Sequence, residues 1–300
     1  MKIEDIRKVL IIGAGTMGQQ IGFQCALNGY DVVMYDTSDE MLKNAKSQIE
    51  EIAQTFVIAG RVNNDLVPGI LGRIVYSRNA EEAAQEVDFV SESIPEDPEL
   101  KGRVFAEFNR LCPARTIFTT NTSSLVPSMF AEETGRPDKF AAFHFHDIRI
   151  TNVVDIMPHP GTSKETIELI SAFSDCIGQQ AIVLEKEQSG YVFNTMLMSL
   201  FESAQTLAER EVASVEDIDK AWMGVMHTIM GPFGIMDSIG LDTVWKVTDY
   251  WANQTGLPQS LANASFMKQY PDRGDLGVKT GQGFYSYPDP AYTAPDFIKK

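Results

Sequence analysis

Three glycines and one aspartate near the start of the chain have the types and the spacing that a dinucleotide site requires. Gly13, Gly15 and Gly18 form G-x-G-x-x-G between an apolar run and a helical pattern, in "VLIIGAGTMGQQIG". Such glycines permit a tight turn, close approach of a pyrophosphate to backbone N–H groups, and close helix packing. Asp36 ends the next predicted strand, where a carboxylate can accept hydrogen bonds from an adenosine ribose. The residues expected to bind the cofactor here are Gly13, Gly15, Thr16, Met17, Gly18 and Asp36.

The carboxylate of Asp36 also predicts which dinucleotide binds. A 2′-phosphate would face this carboxylate, and neither Thr37 nor Ser38 supplies an arginine to compensate. NAD is therefore favoured over NADP. The alternative interpretation is a glycine turn in an α/β domain that binds no nucleotide.

Polar side chains in three later segments are candidates for the chemistry itself. Ser123 lies in "NTSSL" after an apolar strand, His144 in "FHFHD" at the end of another, and Asp155 in "NVVDIMP". The carboxyl ends of parallel strands face one crevice, so we expect these three side chains to converge beside a nicotinamide. A fourth segment, "GYVFN", opens the helical part of the chain. The alternative for His144 is a structural histidine that only satisfies its hydrogen bonds at a strand end.

Short β-rich runs that alternate with helical patterns predict the scaffold that positions these residues. The runs are "VLIIGAG", "DVVMYD", "RIVYS", "VDFVSESI", "RTIFTTNT", "KFAAFHF", "NVVDIMP" and "AIVLEK". Several are continuously apolar, as expected when helices cover both faces of a sheet. The sequence therefore predicts an α/β fold with a Rossmann-type, doubly wound, mostly parallel sheet.

One long charged helix interrupts this alternation. Its pattern covers residues 38–60, and Thr37 and Glu40 are spaced as a capping box. We expect this helix to be an insertion that projects from the sheet.

The strand signals stop after Glu187, and a helical region follows. Apolar residues then recur at helical spacing, at Phe193, Met196, Leu197, Leu200, Ala204 and Leu207. We predict a dinucleotide-binding domain of residues 1–187 and a second, all-α domain of residues 188–300.

Composition and charge exclude several classes of function. The formal net charge of −16 opposes binding to nucleic acid, and no apolar run is long enough for a membrane span. No export or import leader precedes the first strand, so a cytoplasmic location is predicted. Cys25, Cys112 and Cys176 lack disulfide or metal spacing, so we expect free thiols and no metal site.

Taken together, seven segments resemble the L-3-hydroxyacyl-CoA dehydrogenase family over nearly the whole chain. They are "GAGTMGQQIG", "SESIPEDPELKGRVF", "TIFTTNTSSL", "FAAFHFHD", "EQSGYVFN", "MGPFGIMDSIGLD" and "GVKTGQGFYSY". The resemblance implies a two-domain subunit that dimerises through its helical domain. It also implies oxidation of an L-3-hydroxyacyl-CoA at its C3 hydroxyl with NAD, a reaction of fatty acid metabolism.

By position, the resemblance makes His144 the general base and Asp155 its acidic partner. It also implies residues beside the substrate, Ser123 and Asn194, and residues at the nicotinamide end of the cofactor, Glu96, Lys101 and Asn121. The chemistry agrees with these roles, because loss of hydride from C3 requires the hydroxyl proton to leave to a base such as histidine. A carboxylate on the other ring nitrogen would fix the tautomer of that histidine.

The loop after His144 departs from the family pattern. The family has His-Phe-Phe-Asn-Pro and a glutamate twelve positions after the histidine, whereas this chain has "HFHDI" and Asp155 eleven positions after His144. His146 is an alternative base, which we rank below His144. Arg149 has two alternatives, a pair with Asp147 or binding of a free carboxylate of the substrate.

These departures leave the substrate open. We favour a short-chain acyl-CoA, with Lys43 and Lys46 on the long helix as candidates for its phosphates. The alternative is a free 3-hydroxy acid, a sugar acid or a dicarbonyl compound, because "IMPHPGTSKET" and "LEKEQSGYVFN" also resemble the lens-crystallin branch of this architecture. A catalytically silent NAD-binding protein is a third alternative, which the joint presence of Ser123, His144 and Asn194 disfavours.

Overall fold

A computed structural model describes residues 1–299 of the chain. Its contacts form two compact units, Met1–Val192 and a second unit that begins at Phe193. The division falls after Val192, whereas the sequence placed the domain boundary after residue 187. No helix among the described residues is both long and apolar enough to cross a membrane.

The first unit is built on one eight-stranded sheet. Its strands are β1 Lys8–Ile12, β2 Asp31–Tyr35, β3 Ile74–Ser77, β4 Phe89–Glu92, β5 Ile117–Thr120, β6 Phe140–Phe145, β7 Val153–Pro158 and β8 Gln180–Val183. They lie in the order β3-β2-β1-β4-β5-β6-β7-β8, and every neighbouring pair is parallel except β6 and β7. The predicted mostly parallel, doubly wound sheet is confirmed, because each predicted run overlaps one of these strands.

Helices cover both faces of the sheet. They are α1 Thr16–Leu27, α2 Asp39–Ile58, α3 Val67–Leu71, α4 Ala80–Ala83, α5 Pro98–Leu111 and α6 Lys164–Cys176. Successive side chains of a strand point to opposite faces, and β1 follows this rule. Val9 and Ile11 pack with α1, α2 and α6, whereas Leu10 and Ile12 pack with α4 and α5. Burial on both faces explains why the strand runs are continuously apolar.

The long helix α2 corrects two expectations. Its cap is Ser38, whose hydroxyl accepts a hydrogen bond from the N–H of Met41 at 3.3 Å, so Thr37 is not the capping residue. The helix does not project from the sheet as an insertion either. Its apolar residues recur every three or four positions and are buried in the main core, where the ring of Phe56 meets that of Phe23 at 5.1 Å. This apolar stripe anchors α2 along α1.

The second unit is helical, as predicted. Its helices are α7 Tyr191–Glu209, which starts at the end of the first unit, α8 Val215–Met226, α9 Pro232–Ile239, α10 Leu241–Thr255 and α11 Pro258–Arg273. In α7 the core-facing residues are Leu197, Phe201 and Ala204. Phe193 and Met196, which belong to the predicted stripe, are instead exposed.

Two buried carboxylates connect the second unit internally. Asp219 accepts hydrogen bonds from the N–H groups of Phe233 and Gly234 at the start of α9, at 2.9 and 3.0 Å. Asp237 accepts from the N–H groups of Phe284 and Tyr285, both at 2.9 Å. The segments "MGPFGIMDSIGLD" and "GVKTGQGFYSY" therefore meet through Asp237.

Candidate active site

The glycine loop between β1 and α1 has the geometry of a pyrophosphate cradle. Gly13 has a φ of +102°, and a Cβ there would lie 2.6 Å from the carbonyl oxygen of Ser93. A Cβ on Gly18 would overlap the carbonyl of Gly13, whereas one on Gly15 would meet nothing within 4 Å. Gly15 is also the N-cap of α1, so the unpaired N–H groups of the first turn open onto this space. The loop is therefore shaped to hold an anionic group at the start of α1.

Asp36 lies beside this loop at the end of β2. One of its oxygens accepts a hydrogen bond from the N–H of Ala14 and the other from the N–H of Ser38, both at 2.9 Å. The carboxylate therefore fixes the glycine loop as well as standing where a ribose would bind. Arg78, after β3, donates from Nε to the carbonyl of Thr37 at 3.1 Å. Neither Thr37 nor Ser38 supplies an arginine, as the sequence analysis stated, but the strand β3 brings Arg78 to this corner from far along the chain.

A buried ion pair lies at the ends of β4 and α5. Lys101 Nζ contacts Glu92 Oε1 at 2.7 Å and Glu96 Oε2 at 3.3 Å, and Lys101 and Glu92 are almost completely buried. Glu92 also accepts hydrogen bonds from the hydroxyl of Thr120 at 2.6 Å and the N–H of Ile94 at 2.7 Å. Burial raises the pKa of Glu92, against the lowering effect of Lys101. Lys101 is thus fully engaged in positioning two acids.

Glu96 organises the turn that follows β5. Its Oε1 accepts hydrogen bonds from the hydroxyl of Thr122, the N–H of Ser123 at 3.0 Å, and the N–H of Ser124 at 3.1 Å. Burial acts to raise the pKa of Glu96, but the Thr122 hydrogen bond and the charge of Lys101 outweigh it and hold the pKa below its usual range. The hydroxyl-bearing side chain of Ser123 is exposed at this turn.

Two further side chains, those of Asn121 and Tyr191, join that turn to the end of β6. Asn121 Oδ1 accepts a hydrogen bond from the N–H of Phe145 at 2.7 Å. The hydroxyl of Tyr191 donates to the carbonyl of Thr122 at 2.7 Å, and its ring stacks on His144 with centroids 4.6 Å apart. Burial raises the pKa of Tyr191 well above its usual value, so its hydroxyl stays a neutral donor.

His144 and Asp155 face each other across the antiparallel ladder of β6 and β7. They are direct partners in its register, and His144 Nδ1 lies 3.2 Å from Asp155 Oδ2. Both side chains are buried. Burial acts to raise the pKa of Asp155, but its hydrogen bonds to His144 and His146 outweigh this and lower the pKa below the usual value. The ladder thus places an imidazole and an ionised carboxylate in direct contact.

His146 shares the same carboxylate oxygen. Its Nε2 also lies 3.2 Å from Asp155 Oδ2, and the two imidazole rings meet edge to face with centroids 4.7 Å apart. Positions 144 and 146 lie on the same side of an extended chain, which explains why both rings reach one acid. Asp155 therefore has two histidine partners.

Arg149 pairs with Asp147 within the loop that follows. Its Nε lies 2.8 Å from Asp147 Oδ1 and 3.1 Å from Oδ2, and this guanidinium holds the pKa of Asp147 below its usual range. The loop is anchored at the buried Ile148, whose N–H donates to Gln20 Oε1 at 3.0 Å and whose carbonyl accepts from Arg61 at 3.0 Å. Of the two alternatives for Arg149, the structure contains the pair with Asp147.

A cavity of about 490 Å³, lined by cations and also by the acids Asp39 and Glu82, opens beside α2. Lys43, Lys46 and Arg78 are among the residues that line it. Lys43 also pairs with Asp39 at 3.0 Å, and both side chains are largely exposed. The cavity offers cations to an anionic ligand, although one of them is already paired.

Sequence comparison identifies the family. The 3-hydroxyacyl-CoA dehydrogenase NAD-binding domain matches residues 8–188, and the C-terminal domain of the same enzymes matches residues 190–287. The chain belongs to the 3-hydroxyacyl-CoA dehydrogenase family. It is accordingly an oxidoreductase, and its cofactor is NAD. The open, anion-binding glycine loop and Asp36 fit that cofactor.

Individual members of the 3-hydroxyacyl-CoA dehydrogenase family align along almost the whole chain. The mitochondrial hydroxyacyl-coenzyme A dehydrogenase of Sus scrofa is 31% identical over 288 residues, which cover 94% of this chain and 91% of that protein. A probable 3-hydroxybutyryl-CoA dehydrogenase of Bacillus subtilis is 32% identical over 94% of this chain and 98% of its own. Among solved structures, a diketoreductase that acts on dicarbonyl compounds is 36% identical, with a TM-score of 0.87 over 94% of this chain and 99% of its own.

The structure brings most of the predicted site residues of this family member into one connected network. His144 and Asp155 are in contact, and the Ser123 turn is held by Glu96, itself contacted by Lys101. Asn121 joins that turn to β6. Asn194 lies in α7 within the second unit and is half-buried.

Sequence reasoning missed four residues that hold this network together. They are Glu92, Thr122, Tyr191 and Arg78. Three of them lie inside segments that the sequence analysis singled out: Glu92 in "SESIPEDPELKGRVF", Thr122 in "NTSSL" and Tyr191 in "GYVFN". Their place in these segments was a signal that could have identified them. Arg78 gave no such signal, because only the pairing of β3 with β2 brings it to Asp36.

Proposed function

We propose that the protein oxidises short-chain L-3-hydroxyacyl-CoA to 3-oxoacyl-CoA, reversibly, with His144 as the general base. The observation that carries this proposal is the His144–Asp155 pair at the crevice end of β6, within the same unit as the dinucleotide loop. Strand ends of an open α/β sheet are where ligands of this fold class bind.

In this proposal, His144 takes the proton of the C3 hydroxyl. An ionised carboxylate only accepts hydrogen bonds, so Asp155 holds the proton of His144 on Nδ1 and leaves Nε2 with a free electron pair. Nε2 is then the atom that removes the proton, and Asp155 stabilises the imidazolium that forms. The stacked ring of Tyr191 keeps the imidazole in one orientation.

The cofactor supplies the acceptor for the hydride when it is bound. The N–H groups at the start of α1 bind its pyrophosphate, and Asp36 binds the adenosine ribose. Glu96, Lys101 and Asn121 act at the nicotinamide end, in our proposal through the turn that they hold. Ser123 and Asn194 are proposed to hydrogen-bond the oxygen at C3, which would orient it toward the base.

The pairing of Arg149 favours the thioester over a free acid. To bind a carboxylate, Arg149 would have to exchange the two oxygens of Asp147 for those of the substrate. A thioester lacks that negative charge, so its binding does not require Arg149 to leave Asp147. The cavity lined by Lys43, Lys46 and Arg78 supports the same proposal, because the phosphates of CoA need such cations.

Reduction of a free dicarbonyl compound is the second candidate. The solved diketoreductase, which is 36% identical over nearly its entire length, is the observation that favours it. The chemistry at C3 is the same in both candidates, since each interconverts a hydroxyl and a carbonyl beside the nicotinamide. They differ in what binds the rest of the substrate.

A turnover panel distinguishes the two candidates. We expect NADH-dependent reduction of acetoacetyl-CoA with higher kcat/KM than that of free β-keto acids, diketones or sugar acids. Lys43→Glu with Lys46→Glu should raise KM for acetoacetyl-CoA, whereas Arg149→Met with Asp147→Asn, which removes the pair as a unit, should change it little. Loss of a charge-assisted hydrogen bond would raise KM about tenfold or more. Such a rise in the Arg149 variant, together with an unchanged KM in the lysine variant, would refute the proposal that the substrate is a thioester.

We also propose a homodimer formed through the helical unit, in the cytoplasm. Exposed apolar side chains support the dimer: Phe193, Met196, Val225, Ile229 and Trp251 all lie on this unit. Exposed apolar side chains that lie together in a patch are typical of a protein interface. The cytoplasmic location stays a prediction from the sequence, as does a place in fatty acid metabolism.

A further inference from the structure

Three metal-ligating side chains of this chain converge on one point. His144 Nδ1 and His146 Nε2 each lie 3.2 Å from Asp155 Oδ2, and all three atoms lie within 4.8 Å of one another. Among residues 1–299 this is the one group of three or more histidine, cysteine, aspartate and glutamate side chains with such spacing. No metal-binding pattern is visible in the sequence, because β6 and β7 must pair before Asp155 meets the two histidines.

We propose that His144, His146 and Asp155 form a site for a divalent transition metal ion, foremost Zn²⁺, and that the bound ion inhibits the enzyme. Metal binding goes beyond the proposed function and does not depend on it. Only the inhibition rests on the role proposed for His144.

The donor set and the distances fit zinc. Two imidazole nitrogens and one carboxylate oxygen are common zinc ligands, with bonds of about 2.0–2.2 Å, so tetrahedral ligand atoms lie about 3.3 Å apart. The two nitrogen–oxygen distances of 3.2 Å already match that separation. A metal ion placed between these atoms takes the place of the two protons that now lie in the hydrogen bonds, and the two nitrogens, which lie within 4.8 Å of each other, would have to approach to the same separation.

His146 provides both access for the ion and the third protein ligand. The side chains of His144 and Asp155 are only 6% and 2% exposed, whereas that of His146 is 18% exposed. An ion from solvent therefore meets His146 first, and the buried pair completes its coordination. Without His146, an ion would have only two protein ligands here, which is fewer than zinc sites in proteins provide.

The bound ion would remove the base by changing its tautomer. Neutral imidazole carries one proton, and in the hydrogen-bonded pair that proton lies on Nδ1. A metal ion on Nδ1 moves the proton to Nε2, so Nε2 loses the electron pair that accepts the substrate proton. No redox step is involved, and chelation of the ion restores the original tautomer.

Direct binding tests the site without any substrate. The full-length chain, stripped of metal, is titrated with Zn²⁺ against a chromophoric chelator, and Co²⁺ serves as a spectroscopic probe of coordination. We expect one equivalent to bind. Loss of a direct ligand should weaken binding by about tenfold or more, since even partners of metal ligands are worth that much. His146→Phe, His146→Gln and His144→Gln should all show this loss, whereas His227→Asn, which removes an exposed histidine of the helical unit, should bind like the unmodified chain.

Thermal unfolding of each variant identifies any that has lost its fold. The proposal would be overturned if both His146 variants bound Zn²⁺ as tightly as the unmodified chain does. It would also be overturned if the folded unmodified chain bound no Zn²⁺. In a second arm, Zn²⁺ should lower turnover of the unmodified enzyme and EDTA should restore it, while the residual rate of His146→Phe, relative to its own metal-free rate, should not respond. If no acyl-CoA is turned over, the proposed function fails but the binding arm still decides the site.

Discussion

Asp155 is the residue on which the proposed chemistry converges. One carboxylate oxygen serves two imidazoles, so the identity of the base has to be decided between His144 and His146. His144 is the buried one, is stacked on Tyr191 and is the direct ladder partner of Asp155. His146 touches the same acid from beyond the end of the strand. These surroundings favour His144 as the base and give His146 a supporting contact.

Glutamine substitutions should separate the two histidines. His144→Gln should lower kcat by roughly 10² to 10⁴, the range for loss of a positioned general base, with NADH affinity unchanged. His146→Gln should cost less, because Asp155 keeps its bond to His144. The measurements are kcat/KM for reduction of acetoacetyl-CoA and the fluorescence of bound NADH. A larger loss in the His146 variant would show that the assignment is wrong.

We predict that Asp36, with Arg78 nearby, sets the choice of cofactor. We expect the unmodified enzyme to prefer NAD(H) strongly, since the carboxylate binds the ribose and repels a 2′-phosphate. Asp36→Asn keeps an acceptor oxygen but removes the charge, and should shift the NADP(H) to NAD(H) ratio of kcat/KM upward by roughly ten- to hundredfold. Adding Arg78→Met to that variant should reverse part of the gain. Equal use of both cofactors by the unmodified enzyme would contradict the prediction.

At the scale of elements, the connection from β4 to α5 holds the turn that follows β5. Glu96 accepts hydrogen bonds from the hydroxyl of Thr122 and from the N–H groups of Ser123 and Ser124, while Lys101 pairs with Glu96 from α5. The position of the Ser123 hydroxyl thus depends on an acid from a different crossover. The connection from β4 to α5 and the turn after β5 are thus joined by hydrogen bonds into one structural unit.

The stabilising effect of Glu96 should depend on pH. Its pKa lies below the usual value in the folded chain, so its carboxylate stabilises the fold above about pH 4, the ordinary pKa of glutamate, and this stabilisation is lost as the pH falls through the folded-state pKa. Glu96→Gln should therefore lower the Tm at pH 7, and the difference from the unmodified chain should shrink toward pH 3. Glu99→Gln, at an exposed i,i+4 pair with Arg103, is the control and should show little difference at either pH. A Glu96→Gln difference that stays constant with pH would refute this role.

The strands and the glycine motif could be predicted from the sequence, whereas several contacts between different elements could not. Each strand run and the glycine motif are local patterns, so they could be recognised from neighbouring residues alone. The burial of α2, by contrast, depends on α1, and its exposed charges concealed the apolar stripe. Arg78 and His146 acquire their partners only through strand pairing, between β3 and β2 and between β6 and β7. No pattern within either segment predicts these partners.

At the scale of the whole molecule, the helical unit carries apolar surface that water would otherwise contact. Its side chains include Met196, which is 60% exposed on α7, and Ile229, which is 86% exposed. The core of this unit is complete without them, because Leu197, Phe201 and Ala204 supply the inward face of α7. These exposed side chains are thus available for a second copy of the chain.

A charge on this surface should weaken the dimer. We expect the unmodified chain to run as a dimer in sedimentation or light scattering, and Met196→Glu to shift it toward monomer, since a buried unpaired carboxylate is costly. Ile58→Glu, at an 87% exposed site on α2 in the other unit, should leave the dimer intact. A monomeric unmodified chain, or an unaffected Met196 variant, would exclude this interface.

The β6–β7 hairpin also bears on how such an enzyme can change in descent. His144 and Asp155 stay opposite each other because Ala141 to Phe145 pair with Pro158 to Val154, and this ladder does not count the residues in the loop between. A residue lost from the loop shortens the sequence distance from histidine to acid, twelve in the family pattern and eleven here, without moving either partner. The loop that carries Asp147 and Arg149 can thus lengthen, shorten and change charge under selection for a new substrate, while the contact between His144 and Asp155 is left untouched.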